Sequence, residues 1–111
     1  MSPKLRVKTD DCVPLLKALG DETRWTIVRL LITQPMNVTE LCETLRVAQP
    51  NVSKHLKILR EAGLVTAEKT GKEVENRITD SFKIQLTQNQ NRLDVGCCSF
   101  DFQSRKIDPQ F

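Results

Sequence analysis

The sequence has 111 residues, a length that predicts a single domain. Hydrophobic residues make up 39% and charged residues 28%, which is typical of a soluble globular protein and argues against a disordered chain. No apolar run approaches the roughly 20 residues that span a bilayer, and the N-terminus lacks the apolar stretch of a secretory signal, so we expect a cytoplasmic protein without a membrane partner.

The N-terminal third predicts two helices. Residues 1–11 are polar and charged and are expected to form a flexible arm. Apolar residues at helical spacing follow as far as Gly20, which should end the first helix. Asp21 is the expected N-cap of a second helix over Glu22–Thr33, which has a broad apolar face. Within that helix, Trp25 is interpreted as a core residue.

The middle of the chain predicts a helix-turn-helix. Residues 37–45 predict a short helix, and 46–48 are a brief connection. A fourth helix should begin at Gln49-Pro50, since proline is favoured near the first helical position, and should end at Gly63. In such a motif the first helix supports the second, whose N-terminal turns enter a major groove of DNA.

The outer face of the fourth helix carries side chains that suit DNA. Apolar residues at i, i+4 and i+7 bury the opposite face, so polar residues point outward. Asparagine and glutamine can pair bidentately with adenine, and lysine reaches guanine or phosphate. His55 adjoins the apolar face of this helix. It is interpreted as a packed or hydrogen-bonded residue at the edge of the core, with a phosphate contact as the alternative. The candidate DNA-binding residues of this helix are Gln49, Asn51, Ser53, Lys54 and Lys57.

The apolar period changes after Leu64. Alternation on both sides of residues 70–72 predicts a β-hairpin, with Lys69 and Lys72 near its tip as candidate contacts to a phosphate or the minor groove. Helices followed by such a hairpin form a winged helix-turn-helix domain, and this mainly α, homodimeric fold is predicted over residues 12–102. A helical domain with a merely solvated basic face is the alternative.

Positive charge concentrates in this same region. From Gln49 to Lys72 there are five basic and two acidic residues, and 5 − 2 equals the net charge of +3 for the whole chain. A local basic excess on an otherwise neutral chain favours contact with a polyanion.

The C-terminal part carries weaker signals. Residues 81–93 have a sparse helical stripe and predict a fifth helix. Residues 93–100 alternate and predict an extended segment, and 103–111 are expected to form a disordered tail.

Three stretches of sequence resemble the ArsR/SmtB family of winged-helix repressors. They are LLKALGDETR with IVRLL at residues 15–31, VTELC at 38–42, and QPNVSKHLKILREAGLV at 49–65. The resemblance spans about residues 15–78. It implies a homodimer that binds double-stranded operator DNA and is released by a metal, a metalloid or an oxidant. It also implies that the helix beginning at Gln49 recognises DNA and that the first and last helices form the dimer interface.

Two effector sites of the family are not intact in this sequence. The zinc-type site needs histidine and carboxylates in the last helix, and residues 81–93 contain none. The arsenite-type site uses Cys-x-Cys-x-x-Cys, whereas the matching positions here are Asn37, Thr39 and Cys42. We therefore interpret Cys42 as a small core residue.

The adjacent Cys97 and Cys98 remain as the candidate effector site. Two neighbouring thiolates suit a soft trivalent metalloid, and the segment resembles the C-terminal Cys-Cys element of arsenic-responsive family members. Cys12 is the candidate third thiol. Oxidation of these cysteines to a disulfide by peroxide or reactive sulfur is the alternative, as is a structural role beside Phe100 and Phe102.

Other functions find less support. No nucleophile–base pair, paired-carboxylate motif or phosphate-binding glycine loop is visible, so we do not expect an enzyme. No permanent cofactor is expected, and As(III) or another thiophilic ion is the candidate inducer. The cysteines are expected to be reduced. A protein-interaction module without DNA function is a further alternative.

Overall fold

The computed structural model describes residues 12–94 and 98–102. The predicted arm and tail and Cys97 lie outside these residues. No helix in the described part is long and apolar enough to cross a membrane. The elements in chain order are α1 (Cys12–Leu19), α2 (Glu22–Thr33), α3 (Val38–Leu45), α4 (Gln49–Glu61), β1 (Val65–Thr70), β2 (Glu73–Ile78), α5 (Asp80–Gln88), β3 (Arg92–Asp94) and β4 (Ser99–Asp101).

The turn between α1 and α2 confirms the predicted boundary. A Cβ atom at Gly20 would lie 2.8 Å from the carbonyl oxygen of Leu16, so a larger residue would clash with the end of α1. Asp21 then caps α2, its Oδ2 accepting a hydrogen bond from the backbone N–H of Arg24 at 3.0 Å. That hydrogen bond stabilises the carboxylate and lowers the pKa of Asp21.

Replacing Asp21 tests this cap. Asp21→Ala should lower the free energy of unfolding by about 1 kcal/mol at pH 7, because one backbone N–H loses its acceptor. The pKa is lower in the folded state than the ordinary 3.8, so the stabilisation is complete above 3.8 and is lost as the pH falls through the lower value. Urea unfolding at several pH values should therefore show a difference that shrinks in acid. Asp21→Asn is the control, since its amide oxygen can cap without titrating.

One hydrophobic core holds the helices and the base of the wing together. Its central side chains are fully buried and come from every helix. Because α4 contributes three of them, its inner face is fixed against α2 and α3, and its outer face is left to solvent. The largest fully buried apolar side chains are Leu15, Ile27, Val28, Leu41, Val52, Leu56, Leu59, Leu64, Phe82 and Leu93.

The helix-turn-helix is closed by local signals that the sequence carries. Asn37 and Glu40 form a reciprocal capping box at the start of α3. Arg46 ends α3 in the left-handed conformation, with a φ of 58°, and residues 46–48 lead into α4, where Pro50 occupies the first turn. These features confirm the predicted helix-turn-helix.

The wing is an antiparallel hairpin in which Val65 pairs with Ile78 and Thr70 with Glu73. Asn76 is 2% exposed, and its backbone exchanges two hydrogen bonds with Met36. Its side-chain Nδ2 also donates to the carbonyl oxygen of Met36 at 3.2 Å. These bonds attach the wing to the loop before α3, so the wing has a defined orientation relative to the helix-turn-helix.

The C-terminal part differs from the sequence expectation. The predicted helix over 81–93 is too long, because α5 ends at Gln88 and Gln90 and Asn91 adopt left-handed φ values of 57° and 66°. The single extended segment predicted over 93–100 is also wrong, because Leu93 and Phe100, at its two ends, lie on separate antiparallel strands, β3 and β4, and pair with each other. Residues 95–97 lie outside the described part of the chain. The residues at the end of α5 are glutamine and asparagine, so no glycine or proline marks this reversal in the sequence.

Candidate nucleic-acid interface

The seven residues predicted to contact DNA are all exposed. The inner face of α4 is buried through Val52, Leu56 and Leu59, which orients its polar face away from the core. The exposed residues are Gln49, Asn51, Ser53, Lys54 and Lys57 on α4 and Lys69 and Lys72 on the wing. The fold therefore brings an amide, hydroxyl and lysine surface onto one side of α4.

The N-terminal end of α4 suits an anionic partner. Its first turn contains no acidic residue, and the N-cap, Ala48, makes no side-chain hydrogen bond to the helix. The helix dipole places partial positive charge at this end, where phosphate oxygens are favoured. Arg60, exposed in the last turn of α4, belongs to the basic excess of this region but was not among the predicted DNA contacts.

The wing is less basic than its tip suggests. The basic stretch from Gln49 to Lys72 is followed directly by two further carboxylates in β2. Within the hairpin, Lys69, Lys72 and Arg77 are matched in number by Glu68, Glu73 and Glu75. The local positive excess thus belongs mainly to α4.

Two of the wing carboxylates already have partners. Glu68 accepts a hydrogen bond from Arg77 at 2.7 Å, and Glu73 accepts one from the side-chain amide of Asn37 at 2.6 Å. On the other face of the hairpin Lys69 pairs with Val74. A partner with negative charge would therefore meet Lys69 and Lys72 rather than the acidic face.

His55 lies at the edge of the core, in agreement with its interpretation as a hydrogen-bonded residue. Its side chain is 21% exposed, and its Nδ1 is 3.1 Å from an Nη of Arg24 in α2. Arg24 was not among the predicted site residues, because a bond between residues 31 positions apart has no local signal in the sequence.

The cysteines depart in one respect from expectation. Cys12 is the first residue of α1, 4% exposed, and disulfide-bonded, whereas we expected reduced cysteines. The fold brings a second sulfur within bonding distance, which cysteine counts and compartment alone do not reveal. Cys42 and Cys98 are half-buried thiols, and Cys42 packs against the core as predicted.

No three histidine, cysteine or acidic side chains form a metal-ligand group within residues 12–94 and 98–102. Cys97 lies outside this part of the chain. Cys98 leads into β4, whose Phe100, with Phe102 after it, packs on Trp25 of α2. Cys98 itself is partly buried and packs against the hydrophobic core.

Comparison with known proteins gives a consistent result. A family model described as "Bacterial regulatory protein, arsR family" matches residues 21–67. The HTH-type transcriptional repressor SmtB of Mycobacterium tuberculosis is 44% identical over 79 residues, which cover 71% of this chain and 58% of that protein. The chain thus spans less than two thirds of the length of that relative.

Two further matches cover a larger share of the matched protein. An arsenical resistance operon repressor from Staphylococcus xylosus is 31% identical over 93 residues, covering 81% of this chain and 89% of that protein. A homodimeric winged helix-turn-helix DNA-binding domain from Mycobacterium bovis superimposes with a TM-score of 0.64 at 25% identity, covering 73% of this chain and 75% of that one. The fold found here is that of winged helix-turn-helix regulators.

Proposed function

The chain belongs to the arsR family of bacterial regulatory proteins, and from this premise we propose that it is a homodimeric transcriptional repressor that binds operator DNA. The observation that carries the proposal is the exposed face of α4, where amides, a hydroxyl and two lysines stand outward above a fully buried apolar face. Such a helix provides direct contacts to base edges and phosphates. The family consists of DNA-binding regulators rather than enzymes.

Exposed hydrophobic side chains support the homodimer. Four large ones are more than 40% exposed among the described residues, and three of them lie on α1 and α5. These are the helices that we expect at the dimer interface, and a two-fold axis there supplies the half-site spacing of about 34–36 Å. The three side chains are Val13, Leu16 and Ile84.

The effector is proposed to act on the cysteines at the start of α1 and before β4. An arsenite-like metalloid or soft metal ion would take thiolates of Cys97 and Cys98, with Cys12 as the third. A disulfide sulfur donates no thiolate, so Cys12 can serve as a ligand only after reduction. When bound, the ion would supply strong soft-ligand bonds that hold these cysteines together.

The disulfide of Cys12 favours the second candidate, a redox-sensing repressor. In that reaction two thiols lose two electrons and two protons to one peroxide, which becomes two waters, and a sulfur–sulfur bond forms. Reactive sulfur is an alternative oxidant. Both candidate responses use the same cysteines and begin from the reduced protein. They differ in the species that reacts with the thiols, a thiophilic ion in the first and an oxidant in the second.

Paired titrations separate the two effectors. Reduced protein bound to a duplex from the region upstream of its own gene should lose affinity 5- to 150-fold, corresponding to a coupling of roughly 1–3 kcal/mol, when the correct effector is added. Sodium arsenite and hydrogen peroxide are added separately, and binding is followed by fluorescence anisotropy. Arsenite release identifies the metalloid response, and peroxide release that is reversed by dithiothreitol identifies the redox response.

Cysteine variants then locate the responding site. The double variant Cys97→Ser/Cys98→Ser should bind DNA as the wild type does and lose the response. The matched control is Cys42→Ser, which removes a half-buried thiol from α3 and should retain it. A normal response in the double variant, or a lost one in the control, would contradict the assignment. Failure of the reduced protein to bind the duplex would contradict the repressor itself.

A further inference from the structure

Arg24 connects three helices. From α2 its Nε donates to the carbonyl oxygen of Ala18 at 2.8 Å, and one Nη donates to that of Lys17 at 2.9 Å. The other Nη lies 3.1 Å from Nδ1 of His55 on α4. One guanidinium therefore binds the last turn of α1 and the middle of the DNA-facing helix at once. The planar fork of arginine fixes the geometry of all three contacts together.

The contact with His55 has a defined polarity. A guanidinium has only donors, so in this hydrogen bond Nδ1 of His55 is the acceptor. The Asp21 carboxylate, at the N-cap of α2, is 3.9 Å from the same Nδ1, so Asp21 and Arg24 are the charged groups that face the ring from this helix and its cap. In the described parts of α3 and β1, no hydrogen bond or ion pair to the ring is found.

Helix α1 joins this contact to the proposed effector site. It begins at Cys12, which is buried and disulfide-bonded, and ends at Leu19, directly after the two carbonyl groups that Arg24 holds. Its eight residues form a rigid unit about 12 Å long, because a helix rises about 1.5 Å per residue. A change at Cys12 that shifts α1 therefore also moves the two carbonyl groups to which Arg24 is hydrogen-bonded.

We propose that Arg24 and His55 form a joint through which the state of the cysteines is transmitted to α4. The inference rests on the proposed function and assigns both residues a positioning role rather than contact with effector or DNA. A displacement of the last turn of α1 reorients the Arg24 guanidinium, because the guanidinium is hydrogen-bonded to two carbonyl groups of that turn. The reoriented guanidinium either loses its hydrogen bond to His55 or moves His55, and α4 with it. The angle of α4 against α1 is thereby linked to the thiol chemistry at the start of α1.

Two variants of His55 form a matched pair for the test. His55→Asn keeps an acceptor close to the place of Nδ1, whereas His55→Leu keeps a side chain of similar bulk without an acceptor. Both variants are uncharged. Arg24→Lys is the third variant, because one ammonium group cannot bind two carbonyl groups and an imidazole in the same geometry. The measured quantity is the effector ratio, which is the operator Kd with effector divided by the Kd of the reduced protein.

In the wild type the ratio should be at least fivefold with arsenite or peroxide, whichever releases the DNA. His55→Asn should keep the ratio within about twofold of wild type, and His55→Leu and Arg24→Lys should each reduce it to below about twofold. Circular dichroism and thermal unfolding of each variant establish that it is folded. If His55→Leu does not fold, the comparison of Arg24→Lys with His55→Asn decides.

Other outcomes overturn the joint. A wild-type ratio retained by both His55→Leu and Arg24→Lys overturns it while leaving the repressor proposal intact. Equal loss of reduced-state affinity in His55→Asn and His55→Leu, with the ratio unchanged, assigns the ring to a phosphate contact instead. A wild-type ratio near one with normal operator binding overturns the effector proposal, and the joint with it.

Discussion

Replacing Lys54 and Lys57 together with glutamine should weaken operator binding by about three orders of magnitude at about 0.15 M salt. Both side chains are exposed on the outer face of α4, three positions apart and therefore on neighbouring turns. A homodimer loses four positive charges by this change. Each phosphate contact contributes a factor of about five at this salt concentration through counterion release, so four contacts approach a thousandfold.

The salt dependence identifies the mechanism. The slope of log K against log salt should become less steep by about 3 to 4 units in the double variant, since each contact contributes about 0.9. The control is Lys83→Gln/Arg92→Gln, which removes two exposed positive charges from α5 and β3 and leaves α4 unchanged. A similar loss in both double variants would show that net charge rather than the face of α4 governs binding. No loss in the lysine variant would contradict the proposed interface.

The helix-turn-helix could be predicted because each of its boundaries is encoded locally. Asp21 and Asn37 cap the helices that follow them, and Pro50 lies at the start of α4. The alternation around Gly71 likewise predicts the wing, whose turn needs the positive φ of 64° found there. Patterns that depend on a few neighbouring residues can be recognised in the sequence without knowledge of the tertiary structure.

Features that depend on distant residues could not be predicted in this way. Arg24 contacts both the end of α1 and His55 of α4, and His55 lies 31 positions further along the chain than Arg24. The disulfide of Cys12 likewise depends on the fold, and the cysteine count favoured reduced thiols. The acidic side of the wing was not predicted, because two of its carboxylates, Glu73 and Glu75, follow the basic stretch that ends at Lys72. Its carboxylates are largely matched by cross-strand and loop partners.

The aromatic cluster behind the C-terminal hairpin explains why a mainly polar segment folds onto the domain. Phe102 is 3% exposed and stacks on Trp25 with ring centroids 4.4 Å apart, while Phe82 of α5 meets its edge at 5.6 Å. Burial of these rings offsets the entropy lost when the hairpin becomes ordered. The cluster also places the only tryptophan of the chain where its fluorescence reports on hairpin docking.

Phe82→Ala should therefore lower the free energy of unfolding by about 3 to 5 kcal/mol, because the ring is fully buried and its removal leaves a cavity between α5, α2 and the hairpin. Phe82→Leu, which refills most of that volume, should cost much less. Urea unfolding at fixed protein concentration, followed by circular dichroism and by Trp25 fluorescence, measures both changes.

The two probes distinguish global from local loss of structure. If Phe82 belongs to a single cooperative core, both probes should shift to lower urea together in Phe82→Ala. Phe100→Ala is the matched control in the same cluster, since Phe100 is only half-buried and its loss should cost less than that of Phe82. A Phe82→Ala cost below about 1 kcal/mol would contradict the buried position of the ring. A fluorescence transition that precedes the loss of helix would mean that the hairpin undocks separately, and that thiol chemistry at Cys98 can proceed without unfolding the DNA-facing helices.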